Sequence, residues 1–465
     1  MAASPLPAQT VSTVRDIQFR SRWSNYHVDQ PEVERATEAR AADGEAAGEA
    51  TVVPLLRSLF RTGPIVLRGN IATGWEFSNE QFRTTTANNA SKSSFFVAPA
   101  VAAAYDREIG MWTVSFRYSA GYLRYLDDNF SSNASGSGNG SGGLSQTAGL
   151  DVALLGSRLA IRSNASASSG SGYDVERNQQ TDRISLAEAL FSEYALTEFF
   201  HIGSTASTGY DQYSGALGGT DNTRVHWAGS IYGDYILTGK TRLRLELGAG
   251  HESQLAGSLT AFERTYYQAL LRATYQPTSK LTLTPALGLG LLSSNGAATQ
   301  TPDGLRTVYS LAADYAPTEK TSVRLYAGVE GTAARPEFSL GVNWHPRPET
   351  LVTISIYQQS GLSTIAFDQN RTTRGVIGSV QQRLFHRLDA GLTAGWEKEE
   401  LDDTTSSAST VNKEPYYLIS ANLAWQINSW LIWQAQSWTS SRRNSSAATG
   451  AGSQTRASVS LKLTF

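Results

Sequence analysis

The feature that most constrains this chain is a two-residue alternation of apolar and polar side chains that recurs along most of its length. In residues 241–249, for example, the order is Arg242, Leu243, Arg244, Leu245, Glu246 and Leu247. Residues 112–122 and 281–291 follow the same pattern. Because successive residues of a β-strand point to opposite faces, each segment predicts a strand with one apolar and one polar face.

The length of these segments indicates where such strands lie. Many run for about 10–14 residues, whereas strands of globular proteins average about 5–6. A tilted strand that crosses a membrane needs about 9–11 residues, and a membrane helix would need about 20 consecutive apolar residues. The chain has no such apolar run. The pattern therefore predicts an all-β fold, a transmembrane antiparallel up-and-down β-barrel.

A repeat of about two strands supports this fold class. Tyr194, Tyr235, Tyr275 and Tyr315 each precede a short turn and follow one another at intervals of 41, 40 and 40 residues. Longer segments rich in Ser, Gly and Asn separate the turns, at 131–143, 168–181, 253–259, 295–303, 399–412 and 440–452. A β-propeller can also repeat near 40 residues, but its four short strands per repeat do not fit segments of this length. We therefore expect short periplasmic turns and longer extracellular loops.

We count about twenty strands, with eighteen as the alternative if the first belongs to the N-terminal region. An even number places both termini in the periplasm. The predicted strands centre near residues 71, 100, 117, 149, 161, 188, 204, 230, 245, 269, 286, 309, 326, 339, 354, 377, 392, 420, 434 and 459.

The carboxyl end is a complete amphipathic strand. Its apolar face carries Val459, Leu461, Leu463 and Phe465. A soluble sheet rarely exposes such an edge, because it invites aggregation, whereas closure of a barrel removes the edge. We interpret these four residues as the signal that the barrel assembly machinery of the bacterial outer membrane reads.

The polar phase of the strands places many charged and polar side chains inside the barrel. A charged side chain facing lipid at mid-membrane costs about 2–4 kcal/mol for Arg or Lys, so we expect these groups to line a polar, wet pore. The predicted pore-lining residues are Arg117, His226, Tyr232, Asp234, Arg242, Arg244, Glu246, Arg272, Arg324, Glu330, Asp389, Glu397, Arg456 and Lys462.

The sequence offers no catalytic or cofactor motif. Its six histidines show no metal-ligand spacing, it has no cysteine, and its 39 basic and 41 acidic residues form no basic stripe for nucleic acid. Nucleophile-elbow and phosphate-loop motifs are also missing. We expect no enzyme activity, no cofactor, no metal and no nucleic-acid partner.

The first 62 residues differ from the rest, being rich in Ala and Glu between Pro31 and Ala50. They predict a periplasmic tail, partly helical or disordered, or else a plug inside a barrel that spans residues 63–465. Residues 2–10 lack the basic start and apolar core of a signal peptide. We expect that a signal peptide has been removed and that the chain lies in the bacterial outer membrane, in contact with its lipid.

From Pro64 onward the chain resembles the family called beta-barrel porin 2. The residues that carry the resemblance are Tyr118–Tyr125, the following Asp127, Asp128 and Asn129, and the turns at Tyr275–Leu281 and Tyr315–Val323. The resemblance implies an outer-membrane conduit encoded with exopolysaccharide or capsule export systems, and thus periplasmic polysaccharide-export partners.

Size, polar interior and resemblance together lead us to expect a porin-like channel for a hydrophilic polymer such as a secreted polysaccharide. The alternative is a plugged surface barrel that acts as a structural or adhesive component of the outer membrane.

Overall fold

The computed structural model describes residues 61–62, 65–82, 91–126, 142–174, 179–214, 222–256, 259–296, 303–330, 335–362, 370–385, 387–401, 415–442 and 452–464. In these ranges the chain forms twenty long strands and a two-residue strand, Arg61–Thr62, which pairs with Ile65 and Val66.

The long strands are β1 Ile65–Phe82, β2 Ser91–Ile109, β3 Trp112–Tyr125, β4 Gly142–Leu155, β5 Leu159–Asp174, β6 Gln179–Ala195, β7 Phe200–Ser214, β8 Asn222–Thr238, β9 Thr241–Ala256 and β10 Leu259–Thr278. They continue as β11 Leu281–Gly296, β12 Gly304–Thr318, β13 Thr321–Val329, β14 Glu337–Arg347, β15 Thr350–Leu362, β16 Asn370–Leu384, β17 Leu388–Leu401, β18 Tyr416–Gln426, β19 Leu431–Arg442 and β20 Gly452–Thr464.

The first and last strands close the sheet. Each strand pairs antiparallel with its sequence neighbours, and β1 pairs with β20 from Asn70 opposite Thr464 to Phe82 opposite Gly452. Every predicted strand centre falls within one of the twenty strands. The predicted fold, a closed antiparallel barrel with twenty strands, is confirmed.

The outer surface of the barrel is apolar. Leu245 on β9 and Leu271 on β10 are opposite each other and are 58% and 56% exposed. Their neighbours of the opposite phase point inward; Glu252 and Arg264, for instance, are 3% and 1% exposed. An apolar belt of this extent is unfavourable in water, and a closed sheet is one of the two backbone arrangements that can cross lipid.

No helix among the described residues is long and apolar enough to span a membrane.

The repeated turns are linked to one another. The backbone N–H of Lys240 donates to Thr238 at 3.1 Å, and Lys280 and Lys320 repeat this contact with Thr278 and Thr318. Each lysine Nζ then donates to the carbonyl of a proline in the next turn, namely Pro277, Pro317 and Pro346. The repeat seen in the sequence is thus a chain of hydrogen bonds that links neighbouring turns along one rim.

The strands extend into some of the predicted loops, so these loops are shorter than expected. Strand β5 continues to Asp174 and β6 begins at Gln179, so most of the predicted loop 168–181 belongs to strands. Strands β9 and β10 likewise pair up to Ala256 and Leu259. Beyond the membrane both faces of a strand contact water, so Ser- and Gly-rich segments can pair without any alternation.

Several of the sequence predictions concern residues that the structure does not describe. These are Phe465, the N-terminal segment 1–60, Asp127–Asn129 and most of the predicted loops 131–143, 399–412 and 440–452. Val459, Leu461 and Leu463 are described, and they point outward with exposures of 47%, 43% and 41%.

Glu188 breaks the rule for the outer surface. It lies on β6 between Leu186 and Leu190, which are 49% and 40% exposed on the lipid-facing side. Its register neighbours are Ala165 and Thr208, and no hydrogen bond or ion pair joins Glu188 to another described residue. Glu188 is thus a carboxylate in the apolar belt with no cation beside it among the described residues.

Replacing Glu188 by leucine should stabilise the barrel, because a lipid-facing carboxylate costs less than Arg or Lys but still on the order of 1–2 kcal/mol. Urea unfolding in lipid vesicles measures the change. The matched control is Glu193→Leu on the same strand. Glu193 points inward and contacts His201 at 3.1 Å, so that substitution should destabilise the barrel. A Glu188→Leu variant less stable than the parent would contradict this assignment of the outer face.

Candidate functional site

The interior face carries most of the residues that the sequence singles out. Each of the following lies on a strand in the phase opposite to the exposed apolar row: Arg117, His226, Tyr232, Asp234, Arg242, Arg244, Glu246, Arg272, Arg324, Asp389, Glu397 and Lys462. Glu330 follows β13, and for Arg456 the structure describes the backbone pairing with Ser78 and Trp438 but not the side chain.

A charged cluster surrounds Asp234 near the periplasmic ends of β8 and β9. The Asp234 side chain is fully buried, and Arg244 donates to both of its oxygens at 2.8 Å. Arg242 adds a third contact at 3.3 Å. A buried carboxylate needs such partners, because a lone charge removed from water costs several kcal/mol. Arg244 thus pairs across the β8–β9 hairpin with Asp234.

Tyr232 connects the Asp234 cluster to the neighbouring strands. The guanidinium carbon of Arg244 lies 3.7 Å from the centre of the Tyr232 ring, a cation–π contact. The Tyr232 hydroxyl donates to Glu193 at 3.3 Å. The hydroxyl end of the ring lies close to Gly203, where an added Cβ would come within 2.3 Å of it. Gly203 is therefore required by this close approach, and any larger residue would displace the tyrosine.

A second ion-pair group, the Arg272 bridge, crosses several strands. Arg272 on β10 donates to Glu246 on β9 at 2.8 Å and to both oxygens of Glu330 at 3.1 and 2.7 Å. Strands β11 and β12 separate Arg272 from β13 and Glu330, a distance of about 14 Å at the usual strand spacing. Ala286 and Ser310 occupy the intervening register positions, and both are 6% exposed. Their small side chains let the bridge pass over them.

Much of the interior face is inaccessible to water. The residues involved point inward and lie nearer the extracellular end of their strands, on β1, β2, β9–β12 and β14–β18. They are Glu76, Ser94, Phe96, Glu252, Gln254, Arg264, Tyr266, Leu292, Val308, Ser339, Tyr357, Thr373, Glu397 and Leu418, and none is more than 9% exposed. We call this set the buried wall. Charged members of the buried wall are paired, as Glu397 with Tyr357 at 2.5 Å and Glu252 with Arg224.

The interior face of β3–β7 differs, because its side chains are exposed to water. We call it the open sector; its exposed members are Arg117, Ser119, Asp151, Asn164, Ser166, Ser168, Ala187, Ala189, Thr205 and Ser207. Gly149 also belongs there, and a Cβ built on it would meet no atom within 4 Å. Most of these side chains are small, and hydroxyl groups predominate.

The structure therefore divides the predicted pore-lining residues between two environments. Arg117 lies in the open sector, whereas Tyr232, Asp234 and Glu397 are buried among partners. Sequence reasoning missed the hydroxyl-bearing members of the open sector. The alternation places these side chains on the inward face. Ser and Ala carry no charge, however, so sequence reasoning based on charged residues did not select them.

No group of three or more His, Asp or Glu side chains in the described part of the chain is placed to hold a metal ion.

Comparisons with known proteins concern the barrel architecture. No family model matches the chain, so its resemblance to the beta-barrel porin 2 family stays a prediction, and no curated protein matches it either. Similar solved structures include the siderophore receptor PiuA from Acinetobacter baumannii, at 10% identity with TM-score 0.46, covering 87% of this chain and 82% of that one. The FrpB iron transporter from Neisseria meningitidis gives 11% identity, TM-score 0.47 and coverages of 85% and 81%. The copper transporter OprC gives 10% identity, TM-score 0.43 and coverages of 87% and 81%.

The expected polysaccharide conduit is wrong, and the export partners that it implied are withdrawn with it. The similar structures are named as receptors or transporters for siderophores, iron and copper, and not as exporters. Likeness at this level concerns the fold, but the interior agrees with the correction. A wide conduit needs water around its whole circumference, whereas the buried wall removes the extracellular parts of β9–β12 and β14–β18 from the lining. The chain is an outer-membrane β-barrel that lies in lipid.

Asp234→Asn tests the Asp234 cluster. The substitution leaves Arg242 and Arg244 without their carboxylate, and breaking a buried ion pair typically costs about 3–5 kcal/mol. Urea unfolding measures the loss.

The matched control is Asp314→Asn, whose ion pair with Arg324 is 63% and 59% exposed. An exposed pair contributes less than about 1 kcal/mol. Equal losses for the two variants would show that Asp234 is not the electrostatic centre of the cluster.

Proposed function

We propose that this chain is an outer-membrane transport barrel that takes up a small hydrophilic solute along the open sector of its interior. The observation that carries the proposal is the asymmetry of the interior face. Exposed polar side chains follow β3–β7, while the inward side chains nearer the extracellular ends of β9–β12 and β14–β18 are buried. A barrel of 16–18 strands already leaves an aqueous channel, so one of twenty strands has room for a passage beside a buried wall.

The chemistry of the open sector favours a small polar solute. Ser119 and Thr147 exchange a hydrogen bond between β3 and β4, and Asn164 donates to Asp151 between β4 and β5. Hydroxyl and amide groups can exchange these bonds for bonds to a passing solute at little net cost, because each protein–solute bond replaces one of similar strength. The proposed solute therefore carries hydroxyl, carboxylate or amine groups and has no large apolar surface.

The ion pairs outside the open sector have a structural role in this proposal. The Arg272 bridge and the Asp234 cluster join strands β6–β10 and reach across to the end of β13. None of their charged residues is among the exposed members of the open sector. We infer that they keep the barrel shape constant, so that the dimensions of the open sector are fixed.

Gly149→Trp tests the proposal directly. Gly149 points into open space in the sector, so an indole there should narrow the passage and lower the single-channel conductance in planar bilayers at least about twofold. Liposome swelling with a small sugar or amino acid should slow in the same proportion.

Gly378→Trp provides the control. Gly378 lies on β16 in the outward phase, between Val376 and Val380, which are 40% and 42% exposed. An indole there faces lipid and should leave conductance unchanged. If Gly149→Trp conducts like the parent, or if the parent shows no conductance at all, the proposed passage does not exist.

A further inference from the structure

A charged cluster lies on the outside of the barrel, where the remaining surface is apolar. It consists of Gln358 on β15, Arg374 on β16, and Lys398 and Glu400 on β17, which we call the outer rim cluster. Gln358 is opposite Arg374, and Arg374 is opposite Lys398. The cluster shares its phase with Ile354, Val376 and Leu392, which are 42%, 40% and 53% exposed on the lipid-facing side.

The height of the outer rim cluster follows from its neighbours along the strands. Trp396 precedes Lys398 by two residues and pairs with Val376. Tryptophan on the outer face of a barrel marks the boundary between hydrocarbon and headgroups. Two residues of a strand extend about 7 Å. The cluster therefore lies two residues beyond that boundary. It is at the ends of the strands that the longer, extracellular loops connect.

The cations of the cluster are held in position but remain accessible. Arg374 donates from Nε to Gln358 at 2.9 Å, and Gln358 in turn donates to the carbonyl of Pro336 at 2.8 Å. Lys398 contacts Glu400 at 3.0 Å, and the same carboxylate lies 3.7 Å from Arg374. The side chains of Arg374 and Lys398 are 47% and 34% exposed. One carboxylate thus balances two cations, and the exposed Arg335 next to Pro336 adds a third positive charge.

This arrangement matches the chemistry of a phosphate group. A guanidinium fixed through Nε offers its remaining N–H groups as a planar fork, and an adjacent ammonium supplies a point charge. At headgroup height, on an outward face, the anions within reach are those of the surrounding lipid. Basic groups at this level attract anionic headgroups.

We propose that the outer rim cluster binds the phosphorylated headgroup of an outer-leaflet lipid through Arg374 and Lys398. The lipid is preferred to free phosphate as the source because the apolar residues directly below, Val376 and Trp396, would contact its acyl chains. Glu400 sets the positions of the two cations and keeps the empty site from carrying excess charge.

The chain supplies a matched control in Arg124. This residue is exposed and points outward at the extracellular end of β3, two residues after Tyr122, which is 44% exposed. Its register neighbours are Val97 and Gly142, so no second cation lies opposite it. Arg124 therefore lies at the height of the cluster cations and points outward as they do, but no second cation lies opposite it.

The test compares the parent, Arg374→Gln/Lys398→Gln and Arg124→Gln, each purified from outer membranes in mild detergent. Native mass spectrometry and phosphorus analysis measure the phosphorylated lipid that stays bound. We expect the parent and Arg124→Gln to retain lipid and the double variant to lose it at least fivefold. Arg374→Lys, which keeps the charge but not the fork, should retain an intermediate amount. Resistance of the folded barrel to SDS at room temperature confirms that each variant is folded.

Two outcomes would overturn the proposal. One is equal retention of phosphorylated lipid by the parent and the folded double variant. The other is release of the lipid from the parent by millimolar inorganic phosphate, which would identify a site for free phosphate. The measurement does not depend on solute passage, so it is independent of the proposed function.

Discussion

The pairing of β1 with β20 is the interaction on which the rest of the structure depends. In hydrocarbon no water satisfies a free strand edge, and each unpaired backbone group costs several kcal/mol. Thirteen register pairs between Asn70–Phe82 and Gly452–Thr464 remove both edges at once. Closure also defines an outside and an inside. Every second side chain must then suit lipid, and the others are free to be polar.

The inside uses this freedom in two ways. Where interior groups are removed from water, charges occur as networks, such as the Asp234 cluster and the Arg272 bridge, since an isolated buried charge is unfavourable. Small residues make these networks possible: Gly203 accommodates the Tyr232 ring, and Ala286 and Ser310 let Arg272 reach Glu330. Where the interior is wet, along β3–β7, the side chains are short and mostly uncharged. The proposed passage follows this second region.

Sequence alone predicted the architecture because a membrane barrel imposes a two-residue period on every strand. It placed Asp234, Arg244 and Arg272 on polar faces, but it could not predict their partners. Arg272 and Glu330 are 58 residues apart and are brought together by the successive pairing of β10 to β13 and by the small side chains between them. Arg244 meets Asp234 through the β8–β9 hairpin, although Glu246 is nearer in sequence. Glu188 has the phase of a lipid-facing residue and the chemistry of an interior one, so alternation gives no account of it. The prediction of a polymer conduit was wrong for a similar reason. The alternation shows which side chains point inward, but it does not show whether water reaches them.

The division of the interior into an open sector and a buried wall is the central claim, and single-cysteine labelling tests it most directly. The chain contains no cysteine, so a thiol introduced at one position gives an unambiguous signal. Ser166 and Val308 both point inward, but Ser166 is exposed and Val308 is 0% exposed. The folded Ser166→Cys variant should react rapidly with a charged, membrane-impermeant methanethiosulfonate, and Val308→Cys should react only after unfolding. Equal rates for the two folded variants would contradict the account.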